Sequence, residues 1–469
     1  MLALGVWRAE LVRRMKLAVV AKDDRGSVAI LFALSIFVVF TLVGGAVDFG
    51  RAMVARERLQ SAVDSSVLAA ARVWQLENDL TLAEEKALAH FDTNKPVEDS
   101  RVVSFTPDMQ AATFTMVGET TVKTPFLSLV RHSITVSTRG QALIAGGGNA
   151  GTNLEVSMML DITGSMAGSK LTDLKAAAKD LVDIVVWADQ SEFTSRVALA
   201  PFSAAVNAGS TLGPQVAYNP STSLTFKQRS GSKSTRYRTN TYCLVERTGT
   251  NAFTDAAPTG TDKIPRAYQT GSSTACVPAS PIVPLTSDKA SLKTVIDGFA
   301  ANGNTAGHLG TAWAWYLLSP NWAGVYATAS KPKAYSMLTQ VGEKGQPLLK
   351  KVAVLMTDGE YNQQYCNSTT PTTAGAMIPD YDTGTSGASC KSPNGTSTVQ
   401  SRSLCTKMKA AGITVYTVGF GLGAAGEAVD TLRGCASEPH MFYNATTGDE
   451  LRNAFRHIAT SIAAPIISR

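Results

Sequence analysis

The stretch Leu154-Glu155-Val156-Ser157-Met158-Met159-Leu160-Asp161-Ile162-Thr163-Gly164-Ser165-Met166 decides how the chain is read. Up to Leu160 it is an apolar run of the kind found in a parallel strand buried on both faces. It ends in a turn rich in oxygen donors, after which Leu171, Leu174, Ala178, Leu181 and Val185 recur at helical spacing. Strand, turn and helix in that order put one carboxylate and two hydroxyls at the carboxyl end of a strand, where open α/β sheets hold ligands. Few carboxylates among neutral oxygens suit a hard cation such as Mg2+, which keeps several of its waters.

Further strands follow the same plan. Val197 to Phe202, Val352 to Met356 and Ile413 to Val418 are apolar or β-branched runs, and His440 to Asn444 is a shorter candidate. From Gly448 a closing helix is expected, with Leu451, Phe455, Ile458 and Ile462 on one face. Strands alternating with helices predict an α/β domain, a doubly wound, mostly parallel sheet flanked by helices, over about 153–466. Gly419-Phe420-Gly421 lacks the rest of a phosphate-loop pattern and reads as a turn. Two stretches break the alternation, about 209–281 and 362–398, both rich in Ser, Thr, Gly, Tyr and Pro. Loops of that length call for a function or a cross-link. All six cysteines, Cys243, Cys276, Cys366, Cys390, Cys405 and Cys435, fall in or near this half of the chain. An even number so placed suggests disulfides in an oxidising compartment, with about fifteen possible connectivities. Nearest-neighbour pairing would join Cys243 to Cys276, Cys366 to Cys390 and Cys405 to Cys435. A zinc site is the alternative, but no C-x-x-C occurs.

Working toward the N-terminus, Gly146 to Gly151 reads as a linker, about 146–152. Before it, Val102 to Ile144 alternates as strands do. Ser27 to Val47 carries no charge and is long enough, at about 1.5 Å per residue, to cross a hydrocarbon core of about 30 Å. The expected order is a basic tail (1–26), a membrane helix (27–49) and a pilin-like stem with a small β region (50–145). Arg8, Arg13, Arg14, Lys16, Lys22 and Arg25 precede the apolar run, so the N-terminus is expected in the cytoplasm and the bulk outside the inner membrane. A cleaved signal peptide competes with this reading, but the run exceeds an ordinary apolar core and lacks a clear small-x-small cleavage site. A buried soluble helix is the other alternative.

The composition, 44% hydrophobic and 17% charged, describes a globular chain with a membrane element. The net charge of +6 is read as scattered outside the N-terminal tail, which argues against nucleic-acid binding. His90, His132, His308, His440 and His457 show no paired-ligand spacing, and no G-x-S-x-G turn occurs, so no enzyme activity is expected. His308 is expected at the surface or capping a helix, with a place near the cation, three residues after Thr305, as the alternative. Trp313, Trp315, Tyr316 and Trp322 are expected to pack a helix on the sheet.

Asp161-x-Thr163-x-Ser165 resembles the D-x-S-x-S signature of the metal-ion-dependent adhesion site (MIDAS) in von Willebrand factor A domains, with Thr163 in place of the first serine. Thr305, within Gly303-Asn304-Thr305-Ala306-Gly307, resembles that family's isolated threonine, and Thr357-Asp358-Gly359 its T-D-G turn. The resemblance implies that Thr163, Ser165 and Thr305 ligate the metal directly, while Asp161 and Asp358 act through bound waters. A coordination position would stay open for a partner's carboxylate.

The N-terminal half resembles a second family. Arg25-Gly26-Ser27-Val28-Ala29-Ile30, Ala46-Val47-Asp48-Phe49-Gly50-Arg51 and the small-residue stem from Gln60 to Ala71 are similar to TadE/TadG-like proteins. TadG-like members of the Flp (tight-adherence) pilus system join such a segment to a von Willebrand factor A-like domain. This implies an envelope protein that assembles, anchors or stabilises pili, with other pilus-assembly or pilin proteins as partners. An adhesin gripping other cells is the first alternative, and a metal-dependent enzyme or enzyme subunit the second. Leu31 stands where processed prepilins usually carry Glu, which argues against cleavage at Gly26.

Overall fold

The apolar run from Ser27 continues without a break into the amphipathic stem, giving one 51-residue helix, α1 (Ser27–Glu77). Its first half is bare: Leu31, Phe32, Phe37, Phe40 and Leu42 are all more than half exposed. Its second half is covered. Leu59, Val63, Val67 and Ala70 are buried against α2 (Leu80–Asn94) and a small antiparallel sheet of β1 (Arg101–Asp108), β2 (Thr113–Lys123) and β3 (Ser133–Leu143). Helix and sheet lie close because a Cβ at Gly118 or Gly140 would stand 2.7 Å from the Val63 side chain. The computed structural model describes residues 27–77, 79–108, 113–128, 131–143, 151–218, 222–238, 241–269, 276–342, 346–367, 377–381, 391–463 and 467–468. The expected basic tail, most of the expected linker, Gly26 and Cys390 lie outside them.

The second half of the chain is built on a six-stranded sheet. Its strands are β4 (Asn153–Asp161), β5 (Ser195–Phe202), β6 (Val283–Thr286), β7 (Leu349–Thr357), β8 (Thr414–Phe420) and β9 (Phe442–Ala445). The spatial order is β6-β5-β4-β7-β8-β9, all parallel except the edge strand β6. Alternate residues serve opposite faces. Val352, Val354 and Met356 join one core with α3 (Ser169–Val185), α4 (Lys289–Asp297) and α8 (Gly448–Ile462). Ala353 and Leu355 join the other, with α5 (Gly307–Tyr316), α6 (Ser397–Ala410) and α7 (Glu427–Cys435). Trp313, Trp315, Tyr316 and Trp322 are buried in that second core, as expected.

A last strand, β10 (Ile467–Ser468), pairs with β3 and so returns the chain to the N-terminal sheet, a closure not read from the sequence. Buried within the main sheet, Glu155 accepts hydrogen bonds from Lys351 Nζ and Arg196 Nη2. Burial first, with the Arg196 and Lys333 charges behind it, pushes the Lys351 ammonium below its ordinary value, and Glu155 opposes that shift.

The two stretches that broke the alternation are folded. The first holds a helix (Gly209–Val216) and a hairpin of Ser223–Lys227 with Lys233–Arg238, and Cys243 is bonded to Cys276. That hairpin gathers Lys227, Arg229, Lys233, Arg236 and Arg238, so the basic residues are less scattered than expected. The second forms a ribbon of Gln363–Asn367 with Met377–Tyr381. Cys405 is bonded to Cys435, tying α6 to α7, and Cys366 is also disulfide-bonded.

Candidate metal-binding site

The strand order reverses between β4 and β7, and a cleft at the carboxyl ends of such neighbours is where open α/β sheets bind ligands. Asp161 ends β4 and Thr357-Asp358 ends β7, so sheet register alone brings them together. Asp161 is fully buried. Its Oδ1 accepts from the Thr163 backbone N–H at 2.9 Å and its Oδ2 from the Thr357 hydroxyl at 2.6 Å. Thr163 Oγ1 and Ser165 Oγ share a hydrogen bond of 2.9 Å, and Ser165 Oγ donates to Asp358 Oδ1 at 2.6 Å. Burial first, and the Asp358 charge second, push the Asp161 carboxyl up to about 6.

Thr305 is held at the mouth by backbone. Gly164 N–H donates to the Gly303 carbonyl at 2.9 Å, Asn302 N–H donates to the Ile162 carbonyl at 2.9 Å, and Gly303 turns at φ +87°. On its other side, Thr305 N–H donates to Asn362 Oδ1 at 3.0 Å, and Asn362 N–H returns a 3.0 Å bond to the Thr305 carbonyl. The three segments expected to meet are thus stitched into one rim. Within it, Thr163, Ser165 and Asp358 are joined side chain to side chain, Asp161 is joined to them through the Thr163 backbone N–H, and Thr305 is held through its backbone.

The donor set fits a hard cation. Two buried carboxylates face each other across two hydroxyls, every donor is oxygen, and Ser165 opens to solvent. Among the described residues no group of three or more His, Cys, Asp or Glu side chains gathers, so the softer ligand clusters typical of zinc are not found there.

Sequence reasoning missed two neighbours. Lys170 Nζ donates to Asp358 Oδ2 at 2.7 Å, its own side chain about a third exposed and that of Asp358 fully buried. Tyr361 is buried, and burial together with the Asp161 charge raises its phenol well above the ordinary range. Its ring fills the space over Gly307, where a Cβ would meet Tyr361 Cε1 at 2.1 Å. His308 corrects an expectation: it is neither a surface residue nor a cap. Its side chain is buried, with Nδ1 2.7 Å from Ser397 Oγ and Nε2 against Glu246 Oε2. Glu246 Oε1 also accepts from Ser392, Gln400 and the Tyr365 backbone. This knot pins the first insertion to α5 and α6.

Sheet order and strand-end turn together define an open α/β domain with its oxygen-rich rim at the reversal of strand order. The N-terminal segment is more particular: residues 26–73 match the Flp pilus-assembly TadE/G-like family model. That match covers the apolar helix and its stem, and no more of the chain. Solved structures similar to the chain include the von Willebrand factor domain of the type V pili tip protein Mfa5 from Porphyromonas gingivalis. The two are 15% identical, with a TM-score of 0.38, over 66% of this chain and 95% of that one. The pilus adhesin SpaC from Lactobacillus rhamnosus GG is similar at 10% identity and a TM-score of 0.37, over 78% of this chain and 34% of its own length. Proximal thread matrix protein 1 from the mussel byssus, in a structure with a zinc-occupied MIDAS motif, is similar at 13% identity and a TM-score of 0.30. That likeness covers 67% of this chain and 48% of the other. No curated protein matches the chain in sequence.

Proposed function

We propose that the chain is a membrane-anchored component of an Flp-type pilus system, its N-terminus cytoplasmic and its doubly wound, von Willebrand factor A-type domain (153–466) periplasmic. In this reading the domain binds another pilus protein through a divalent cation, most simply Mg2+. The observation that carries it is the meeting of Asp161, Thr163, Ser165 and Asp358 at one pair of strand ends, on a chain whose helix matches the TadE/G-like family. Thr163, Ser165 and Thr305 would hold the cation, with Asp161 and Asp358 beyond its waters. The cation supplies an electrophilic centre that takes an incoming carboxylate.

This chain's residues do the rest. Thr357 and the Thr163 backbone fix the orientation of Asp161, and Ser165 fixes Asp358. Withholding both carboxylates from direct ligation would leave the cation hungry for an outside acid. The role is binding, not turnover. Pili and adherent cells counted in a strain lacking the protein, complemented with wild type or Asp161→Ala, test the reading. Loss of pili with Asp161→Ala protein present places the site in assembly. Normal pili with reduced adherence favours the adhesin alternative, and no change in either refutes the role given to the site.

A further inference from the structure

The tip of the β2–β3 hairpin lies against the outer end of the apolar helix. Thr124 N–H donates to the His132 carbonyl at 3.1 Å, closing a loop that begins Pro125-Phe126-Leu127-Ser128. Two glycines let this loop reach the helix: a Cβ on Gly44 would stand 2.6 Å from Phe126 Cβ, and one on Gly45 3.2 Å from Leu127 Cδ2. One turn along, Asp48 is fully buried. Its Oδ2 accepts the backbone N–H of Phe126 at 2.9 Å and that of Leu127 at 2.8 Å. Arg51 lies 3.9 Å from the other carboxylate oxygen. Gly44, Gly45 and Asp48 share one helix face, so two bare positions and one carboxylate make a single seat for the loop.

What that seat presents is an aromatic ring facing outward. Phe126 is 56% exposed, beside Leu42, Val43 and Val47, which are 69%, 59% and 47% exposed. Holding a bare phenylalanine in a fixed place by burying a carboxylate makes sense only if something apolar covers the ring. Depth points to what that is. From Ser27 to Gly44 the helix climbs about 25 Å, so Gly44 comes near the outer edge of a hydrocarbon core about 30 Å thick. Arg51, Lys123 and Arg131, all exposed, flank the loop, where headgroup phosphates would lie.

We propose that the hairpin tip is a second membrane contact, with Phe126 and Leu127 entering the outer edge of the bilayer beside the helix. A lone helix can rotate and tilt in a bilayer. A helix with a sheet clamped to it at the interface cannot do so freely, and the orientation of the exported domain is set accordingly. The inference rests on the membrane-anchor part of the proposed function.

The test uses the full chain in proteoliposomes of phosphatidylethanolamine and phosphatidylglycerol, with an environment-sensitive fluorophore on Phe126→Cys and the native disulfides kept oxidised. Phe37→Cys, within the helix, and Val103→Cys, on exposed β1, are labelled as references. The label at 126 should shift to the blue and lose most of its emission to lipids carrying a nitroxide near the headgroup, and the label at 37 to lipids carrying it deep in the acyl chain, while the label at 103 keeps its emission with both. A label at 126 that behaves like the one at 103, while the label at 37 is quenched, overturns the membrane contact and leaves the anchor standing. A blue-shifted label at 126 that nitroxide lipids do not quench overturns it in favour of a protein contact. If the label at 37 is also unquenched, the anchor reading itself fails. Asp48→Ala, which frees the loop amides, should reduce quenching at 126 and leave quenching at 37 unchanged.

Discussion

Replacing Lys170 with methionine should tighten divalent-cation binding. The ammonium lies 2.7 Å from Asp358 Oδ2, on a carboxylate that a cation in this site would need. At an effective dielectric constant of about 20, two unit charges at that separation attract by about 6 kcal/mol. The lysine side chain is 36% exposed, so solvent screens much of this, and a net value of about 1–2 kcal/mol is the reasonable expectation. A cation displacing the ammonium works against that amount, which corresponds to a factor of about 5 to 30 in affinity. Methionine keeps the aliphatic stem near the Phe420 ring, where Lys170 Nζ lies 5.9 Å from the centroid, and removes only the charge. Calorimetric titration of Mg2+ or Mn2+ into the full chain in nanodiscs measures the effect. Without metal the variant should melt slightly lower, because Asp161 and Asp358 then face each other without a counter-charge. With saturating metal it should gain more stability than wild type. Affinity equal to or weaker than wild type would refute the reasoning, since the cation would then not depend on Asp358.

Other substitutions probe the frame around the site. Glu155→Gln leaves Lys351 and Arg196 without their buried carboxylate and should cost about 3–5 kcal/mol in urea unfolding, a loss that Lys351→Met in the same chain partly restores. Replacing Cys405 and Cys435 by serine opens a link between residues 30 apart and should cost about 3–4 kcal/mol, read by calorimetric melting, with cation affinity unchanged. Gly307→Ala drives a methyl group into the Tyr361 ring. It should cost about 1–3 kcal/mol in thermal unfolding and weaken cation binding through the neighbouring Asn362–Thr305 pair.

What could be read in advance divides along physical lines. The strand from Leu154, its oxygen-rich turn and the helix after it were legible because period and composition act over a dozen neighbouring residues. The meeting of Asp161 with Asp358 was legible through resemblance, and parallel register then supplies the reason. His308 was misjudged because its partners Glu246 and Ser397 are 62 and 89 residues away, and nothing local marks a histidine that such distant groups will bury. Lys170 lies in the first turn of α3 and its ion pair spans 188 residues, so no local pattern marks it. The return of β10 to the N-terminal sheet involves two residues, too few for any pattern. Gly44, Gly45 and Asp48 were visible as letters, but their use depends on a hairpin tip 78 residues on.

The account stands or falls on whether this rim of oxygens holds a cation. Electron paramagnetic resonance of Mn2+ titrated into the full chain, wild type beside Asp161→Ala, asks that directly. The expected result is a single saturable Mn2+ site in wild type that Mg2+ empties by competition, and its loss in a folded Asp161→Ala chain. A wild-type chain that takes up no Mn2+, or an Asp161→Ala chain that binds it equally well, would contradict the account.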